Sequence, residues 1–245
     1  MRIRLLVPAL GALLVSCGSL GFAETAVGPD NEPPLESMSA RWTQAVVDTA
    51  AHAEYLTEVE KQVVLEINKV RTDPAEYAKR YLLPLRASFH GKLFTVPGET
   101  AISTNEGVAP LDECIRELQR TRAVRPLEPR NGLSRAARDH AEDQGKTGAT
   151  GHTGKDGSSA VSRINRYGRW DLAAGENIDY GNGNARRIVI SLLVDDGVPT
   201  RGHRRNLLAK AFALVGVSVG LHPVYRHMCV MDFAGAYKEA AITKQ

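Results

Sequence analysis

Four short segments place a histidine or a carboxylate beside glycines or at the end of an apolar run. They are residues 151–154 (GHTG), 175–178 (GENI), 195–197 (DDG) and 202–206 (GHRRN). Binding residues often gather in loops at the ends of rigid elements. Two imidazoles and two carboxylates, from His152, Glu176, an acid near 195 and His203, suit a divalent ion such as zinc. They suit an acid–base cluster equally well, because histidine exchanges protons near neutral pH.

The spacing of these residues does not by itself define a metal site. The intervals from His152 to Glu176 and onward to His203 match no local metal-binding motif, so a structural hydrogen-bond network is the alternative. The GxSxG pattern at residues 216–220 (GVSVG) falls within the predicted hairpin and not at a strand-to-helix turn, so it does not indicate a nucleophile elbow. Ser158 follows an Asp-Gly turn and suits a helix cap better than a nucleophile.

Other histidines and a set of arginines are interpreted as structural. His140 lies among alanines in a predicted helix and is expected to be a hydrogen-bonded core residue. His222 and His227 flank a predicted hairpin turn and are expected to be solvated. A recurrence of arginine every three residues indicates a solvated helix face, at Arg163, Arg166 and Arg169.

Helices are predicted over much of the chain before these last segments. Thr57 and Glu60 form a capping box before an apolar face with helical spacing. Pro74 can begin a second helix, and residues 111–121 read as a third. Residues 133–144 form a helix with a face of small residues, ended by Gly145. Asn184 as N-cap favours a helix over residues 185–194.

The end of the chain has the alternation of strands. Residues 212–221 and 225–233 are rich in valine and small residues and predict an antiparallel hairpin. Residues 86–110 are expected to be a long loop, and residues 41–56 an additional amphipathic helix. The predicted class is therefore α+β, with helices packed on an antiparallel sheet.

The N-terminus indicates export. Arg2 and Arg4 precede an apolar run that is too short to span a bilayer as a mature helix, and residues 1–23 are predicted to be a signal peptide. Cys17 ends a bacterial lipobox and would carry a lipid anchor, whereas cleavage after Ala23 is the alternative. Residues 24–40 are predicted to be a linker, and residues 41–245 one domain with a core at about 57–238.

Net charge bears on the class of partner, and cysteine content bears on disulfide formation. The net charge of +3 includes Arg2 and Arg4 of the predicted signal, so the mature chain is close to neutral and a nucleic-acid partner is not expected. Cys114 and Cys229 remain after processing. They either form one disulfide or are buried thiols that act as small hydrophobic side chains.

Read together, the ordered segments resemble the CAP superfamily of cysteine-rich secretory, antigen-five and pathogenesis-related-one proteins. The resemblance rests on residues 66–71 (EINKVR), 133–143 (LSRAARDHAED), 151–152, 175–178, 202–208 and 215–217. It covers about residues 57–238, although the chain lacks the many disulfides of eukaryotic members. It implies a three-layer α-β-α sandwich with a central antiparallel sheet.

The resemblance also implies a cleft that holds two histidines and two acids. By position these are His152, His203, Glu176 and a second acid, which is Asp195 or Asp196. If they bind a metal, the expected ligands are His152, Glu176, Asp195 and His203, and zinc is the expected ion. If the domain is catalytic, the residues that carry the chemistry are His152, Glu176 and His203.

Three functions agree with this pattern. The first is a ligand- or metal-binding module of the cell envelope, whose partner is a small ligand, a lipid or an envelope component. The second is a hydrolase in which a metal or a His/Glu pair activates water. The third is a structural envelope protein whose four polar residues hold loops together.

Overall fold

A computed structural model describes residues 42–96 and 101–241 of the chain. The predicted signal peptide, the lipobox at Cys17 and the linker 24–40 lie outside these residues. Within the described ranges, no helix has both the length and the apolar character needed to cross a bilayer.

Eight α-helices and seven strands are found in the described ranges. The α-helices are α1 (Gln44–Val47), α2 (Glu58–Thr72), α3 (Pro74–Tyr77), α4 (Ala109–Arg120), α5 (Asn131–Thr147), α6 (Ala160–Tyr167), α7 (Ala185–Val194) and α8 (Gly202–Leu208). A π-helical turn (Ala78–Leu82) and a 3-10 helix (Leu83–Ser88) follow α3. The strands are β1 (Phe89–His90), β2 (Leu93–Phe94), β3 (Ile102–Ser103), β4 (Glu128–Pro129), β5 (Gly168–Tyr180), β6 (Leu214–His222) and β7 (Arg226–Glu239).

The main sheet has the strand order β4-β6-β7-β5. The hairpin β6–β7 is antiparallel, as predicted, and β7 also pairs antiparallel with β5 along most of its length. The short strand β4 pairs parallel with β6. The last strand of the described chain, β7, therefore lies inside the sheet, and β5 forms one edge.

Helices cover both faces of this sheet and give the predicted α-β-α sandwich. On one face, the small residues of α5 pack against Ile178, Tyr180 and neighbouring strand residues. On the other face, α2, α4 and α7 enclose the larger core with Val215, Val217 and Phe233. The backbone of α5 lies very close to β6, since a Cβ on Gly216 would lie 2.0 Å from the carbonyl carbon of Leu133. This close approach explains why α5 presents alanines to the sheet.

Several predicted boundaries and elements differ from the structure. Gly145 lies within α5, and the helix ends at Gly148, whose φ of 69° is left-handed. Residues 86–110 are not one loop, because the 3-10 helix, the small sheet β1-β2-β3 and the start of α4 lie there. Of the range 41–56, the described residues 42–56 contain only the short α1, where Val47 is buried but Val46 is exposed.

The interior also contains a buried arginine that joins distant segments and two free thiols. The guanidinium of Arg71 on α2 donates to the carbonyls of Arg125, Leu207, Ala209 and Phe212. These bonds join α2 to the segment before β4 and to the segment before β6. The two described cysteines, Cys114 and Cys229, are free and buried, which agrees with the thiol alternative rather than with a disulfide.

Candidate functional site

The edge strand β5 carries functional side chains on both of its faces. Successive residues of a strand point to opposite faces. Glu176 lies on the face of Ile178 and Tyr180, which α5 covers. Asn177 lies on the opposite face, where its amide donates to the carbonyl of His203 on α8. The sequence prediction did not place the GENI segment on a strand.

On the α5 face, His152 and Arg163 converge on Glu176. The Nδ1 atom of His152 lies 2.7 Å from Glu176 Oε1, and Nη2 of Arg163 donates to Oε2, also over 2.7 Å. Arg163 further donates to the carbonyls of His152 and Ser158, which fixes the loop before α6 against the sheet. We call these three residues the Glu176 centre.

The Glu176 centre contains a buried ion pair between Arg163 and Glu176. Burial alone raises the pKa of Glu176, but the hydrogen bond from His152 and the charge of Arg163 outweigh it and lower that pKa below its ordinary value. The expectation of a solvated arginine face was wrong for Arg163, whose exposed fraction is 1%. A signal in the sequence is the adjacent Ile164, which is also buried and marks the inner side of α6.

Two further buried groups surround the Glu176 centre. His140 is a core histidine, as expected, with Nε2 2.8 Å from the carbonyl of Gly151, although its Nδ1 has no hydrogen-bond partner in the described part of the chain. Asp232 on β7 is the direct cross-strand neighbour of Glu176. Burial and then the negative charge of Glu176 raise the pKa of Asp232 well above its ordinary value. The sequence analysis did not single out Asp232, although an aspartate within the apolar run CVMDF is the signal for it.

On the opposite face, Asp195 orients His203. The Nδ1 atom of His203 lies 2.7 Å from Asp195 Oδ1, and the backbone N–H of His203 donates to Oδ2 over 2.9 Å. Asp195 occupies the left-handed region at φ 57° directly after α7, which turns its carboxylate toward α8. Because a carboxylate only accepts, Nδ1 of His203 carries a proton, and the buried Nε2 has no partner among the described residues.

The alternative acid, Asp196, has a different position. Its carboxylate accepts from the backbone N–H groups of Asn105 and Glu106. It therefore anchors the segment before α4, and Asp195 is the partner of His203.

A cavity of about 1300 Å³ opens beside His203. Its walls come from α2, α7, the 3-10 helix and the small sheet, and they include Asp179, Asp195 and His203. The partly buried apolar side chains Leu65, Leu85, Phe89 and Ile190 line it. His152 and Glu176 are not among the lining residues.

The structure thus joins the four predicted residues as two pairs. In residues 42–96 and 101–241, no three His, Cys, Asp or Glu side chains are arranged to hold a metal ion. Both oxygens of Asp195 accept from His203, and both oxygens of Glu176 have donors, so neither carboxylate is free as a ligand. The donor set seen here does not fit zinc held by all four residues, and a joint zinc site remains a prediction.

His222, which was expected to be solvated, is buried. Its Nε2 lies 3.0 Å from the carbonyl of Ala149, while Nδ1 accepts from two backbone N–H groups of the hairpin turn. The expectation failed because α5 and its following loop cover the end of β6.

This fold and these segments define the family. The chain belongs to the cysteine-rich secretory protein family (CAP), whose model matches residues 66–233, well over half of the chain. The resemblance seen in the sequence is confirmed. Comparison with curated proteins finds no match.

Two solved structures are similar to this chain. An outer surface protein from Borrelia burgdorferi is 21% identical with a TM-score of 0.39, and the match covers 45% of this chain and 78% of that one. An extracellular protein containing an SCP domain from Bacillus anthracis is 21% identical with a TM-score of 0.37, and the match covers 45% of this chain and 34% of that one.

Proposed function

We propose that the protein is an exported CAP-domain protein that binds an amphiphilic small molecule, such as a lipid of the envelope, in the cavity beside His203. The cavity carries this proposal, because it is large and mainly apolar and has a few oriented polar groups at its wall. These are the usual properties of small-molecule sites. Membership of a secretory family and the N-terminal signal pattern support export.

The apolar part of the ligand would lie between the small sheet and α7. Phe89 and Phe94 form a ring pair with centroids 4.9 Å apart at one wall, and Ile190 and Leu65 face the same space. Apolar side chains left half-covered beside a cavity gain free energy when an apolar ligand covers them.

The polar part of the ligand would meet His203. The imidazole is held by Asp195 at the cavity wall, and its Nε2 is buried without a partner among the described residues, so a ligand hydroxyl group that reached it would be the complementary donor to the neutral imidazole. Leaving such an atom without a partner costs free energy, which a hydroxyl-bearing ligand would recover. Hydrolysis is the second candidate function, because an imidazole oriented by a carboxylate is also the arrangement of a general base.

A fluorescent long-chain alcohol, titrated into the purified protein, tests the proposal. Ile190→Trp fills the apolar wall and should weaken saturable binding by about tenfold or more, since overpacking a site costs on the order of 1–3 kcal/mol. Val161→Trp is the matched control, because Val161 is exposed on α6 outside the cavity. Equal binding by the two variants, or no saturable binding by the wild type, would overturn the proposal.

The same preparation tests zinc. Stoichiometric metal in the wild type that is absent from His152→Ala/His203→Ala would support a site shared by the two imidazoles. A folded wild type without metal affinity would leave the two pairs as hydrogen-bonded units.

A further inference from the structure

The wall of the cavity beside His203 contains a buried carboxyl group that the contacts described so far leave unused. Asp179 lies on β5, on the same face as Asn177, and it lines the cavity with an exposed fraction of only 2%. Its cross-strand neighbour on β7 is Cys229, a buried free thiol whose pKa is raised by burial, so it brings no charge to balance the acid.

The partners of Asp179 in the described part of the chain are neutral. The amide of Asn182 donates to both carboxylate oxygens over 3.0 Å, and the hydroxyl group of Ser191 on α7 gives a further hydrogen bond. Burial outweighs these donors and raises the pKa of Asp179 to about 7. A cation that reached this carboxylate would therefore stabilise a charge that the surrounding side chains leave unbalanced.

The other two buried carboxyl groups of the wall each have a basic side chain as partner. Glu66 pairs with Lys69 and Arg186. Asp195 accepts from the backbone and the imidazole of His203. Among the described lining residues, Asp179 is thus the buried acid that has no basic partner.

The overall charge of the wall favours the same kind of ligand. Among the described residues, six carboxyl groups and three guanidinium groups line the cavity. Two of these guanidinium groups pair with glutamates, Arg186 with Glu66 and Arg80 with Glu76. An anionic head group would be repelled by this acidic excess, whereas a cationic head group would reduce it.

We propose that the cavity binds a single-chain amphiphile with a protonated amine, whose ammonium group pairs with Asp179 while its chain covers the apolar wall. This inference rests on the proposed function, because it names the class of ligand for the same cavity. An ammonium group donates charge-assisted hydrogen bonds to a carboxylate, and these are stronger than the bonds a hydroxyl group would make there.

Calorimetric titration of the purified protein with three probes of equal chain length tests this class of ligand. The probes are decylamine, decanol and decanoate, each used below its micelle-forming concentration. In mildly alkaline solution Asp179 is ionised and the amine is still protonated. Decylamine should then bind about tenfold more tightly than decanol, and decanoate should bind more weakly than both.

The order of the three probes separates this inference from the proposed function. Decanol that binds with decylamine no tighter would overturn the amine class and leave an amphiphile site in place. A wild type that binds none of the probes would overturn both. This comparison uses the wild type alone and does not depend on the folding of any variant.

Asp179→Asn distinguishes a contact with Asp179 from a general attraction of amines to the acidic wall. Asparagine has the same shape but cannot ionise, so the advantage of decylamine over decanol should fall by about tenfold, while the affinity for decanol stays unchanged. Asp171→Asn is the matched control, because Asp171 is an exposed aspartate of β5 outside the cavity. It should keep the full advantage. An advantage that persists in folded Asp179→Asn would overturn the pairing with Asp179.

Discussion

The two faces of β5 use the same pair of side chains in different surroundings. In each pair, His Nδ1 lies 2.7 Å from a carboxylate oxygen. On the α5 face, Glu176 is also bonded to Arg163 and lies beside Asp232, and His152 reaches solvent. On the α7 face, the carboxylate of Asp195 accepts from the backbone and the imidazole of His203, and the imidazole lines the cavity.

The difference shows that a histidine–carboxylate pair does not define one chemistry. The Glu176 centre depends on charge balance, because its carboxylate is buried with a guanidinium and a second acid. The Asp195–His203 pair depends on orientation, since its carboxylate holds the imidazole in one position at the wall of the cavity. Substitutions that alter charge should therefore act mainly on the first face, and substitutions that alter orientation mainly on the second.

The largest effect is expected at Arg163. Arg163→Met removes the cation of the Glu176 centre and leaves a buried carboxylate unpaired, which should lower the free energy of unfolding by about 3–5 kcal/mol. Arg166→Met is the control, since Arg166 is 40% exposed in its ion pairs and should cost less than about 1 kcal/mol. Chemical denaturation measures both; similar losses would mean that the centre does not depend on the buried charge.

A smaller effect is expected from Asp195→Asn. Asparagine tolerates the left-handed backbone at this position, but its amide cannot accept from both His203 N–H groups. The variant should lose about 1–3 kcal/mol of stability and bind the fluorescent alcohol more weakly. Asp139→Asn, which alters a carboxylate on α5 that bonds Arg166 and Tyr167 outside the cavity, should leave probe affinity unchanged. Unchanged affinity in Asp195→Asn would separate His203 from the ligand site.

An effect that shows only as a change of stability with pH is expected at Asp179, on the cavity face. Burial raises its pKa to about 7, and hydrogen bonds from Asn182 and Ser191 limit the rise. Because the folded pKa exceeds that of the unfolded chain, the contribution to stability is complete below about pH 4 and is lost as the pH rises toward 7. Asp179→Asn should remove a slope of about 1 kcal/mol per pH unit in this range, as measured by urea unfolding. A wild-type slope that persists in the variant would assign it to another group.

Local sequence signals predicted the elements whose ends are set by their own residues. Thr57 donates its backbone N–H to Glu60 as the capping box requires, and the Asn184 side chain caps α7 at its predicted start. The hairpin followed from alternation alone. The family resemblance supplied the sandwich and identified the histidines and acids of both pairs.

The remaining site features depend on packing between distant segments. Arg163 meets Glu176 only because the short α6 turns its inner side toward β5, and a spacing of three residues does not show which side that is. The division of the four predicted residues between two faces follows from the placement of Glu176 on an edge strand. Asp232 joins the first face through the register of β5 and β7, which no local pattern specifies.

The inner position of β7 has a consequence for how the chain reaches its folded state. Residues 226–239 pair with both β5 and β6, so neither neighbour has its full set of sheet hydrogen bonds until this late segment is available. In the same way, Arg71 on α2 lacks its hydrogen bonds to the carbonyls of Leu207, Ala209 and Phe212 until that late part of the chain is available. Contacts between such distant segments form slowly. If the chain is exported as proposed, the domain would therefore stay unfolded during transport. It would complete its fold only after nearly all of it has crossed the membrane.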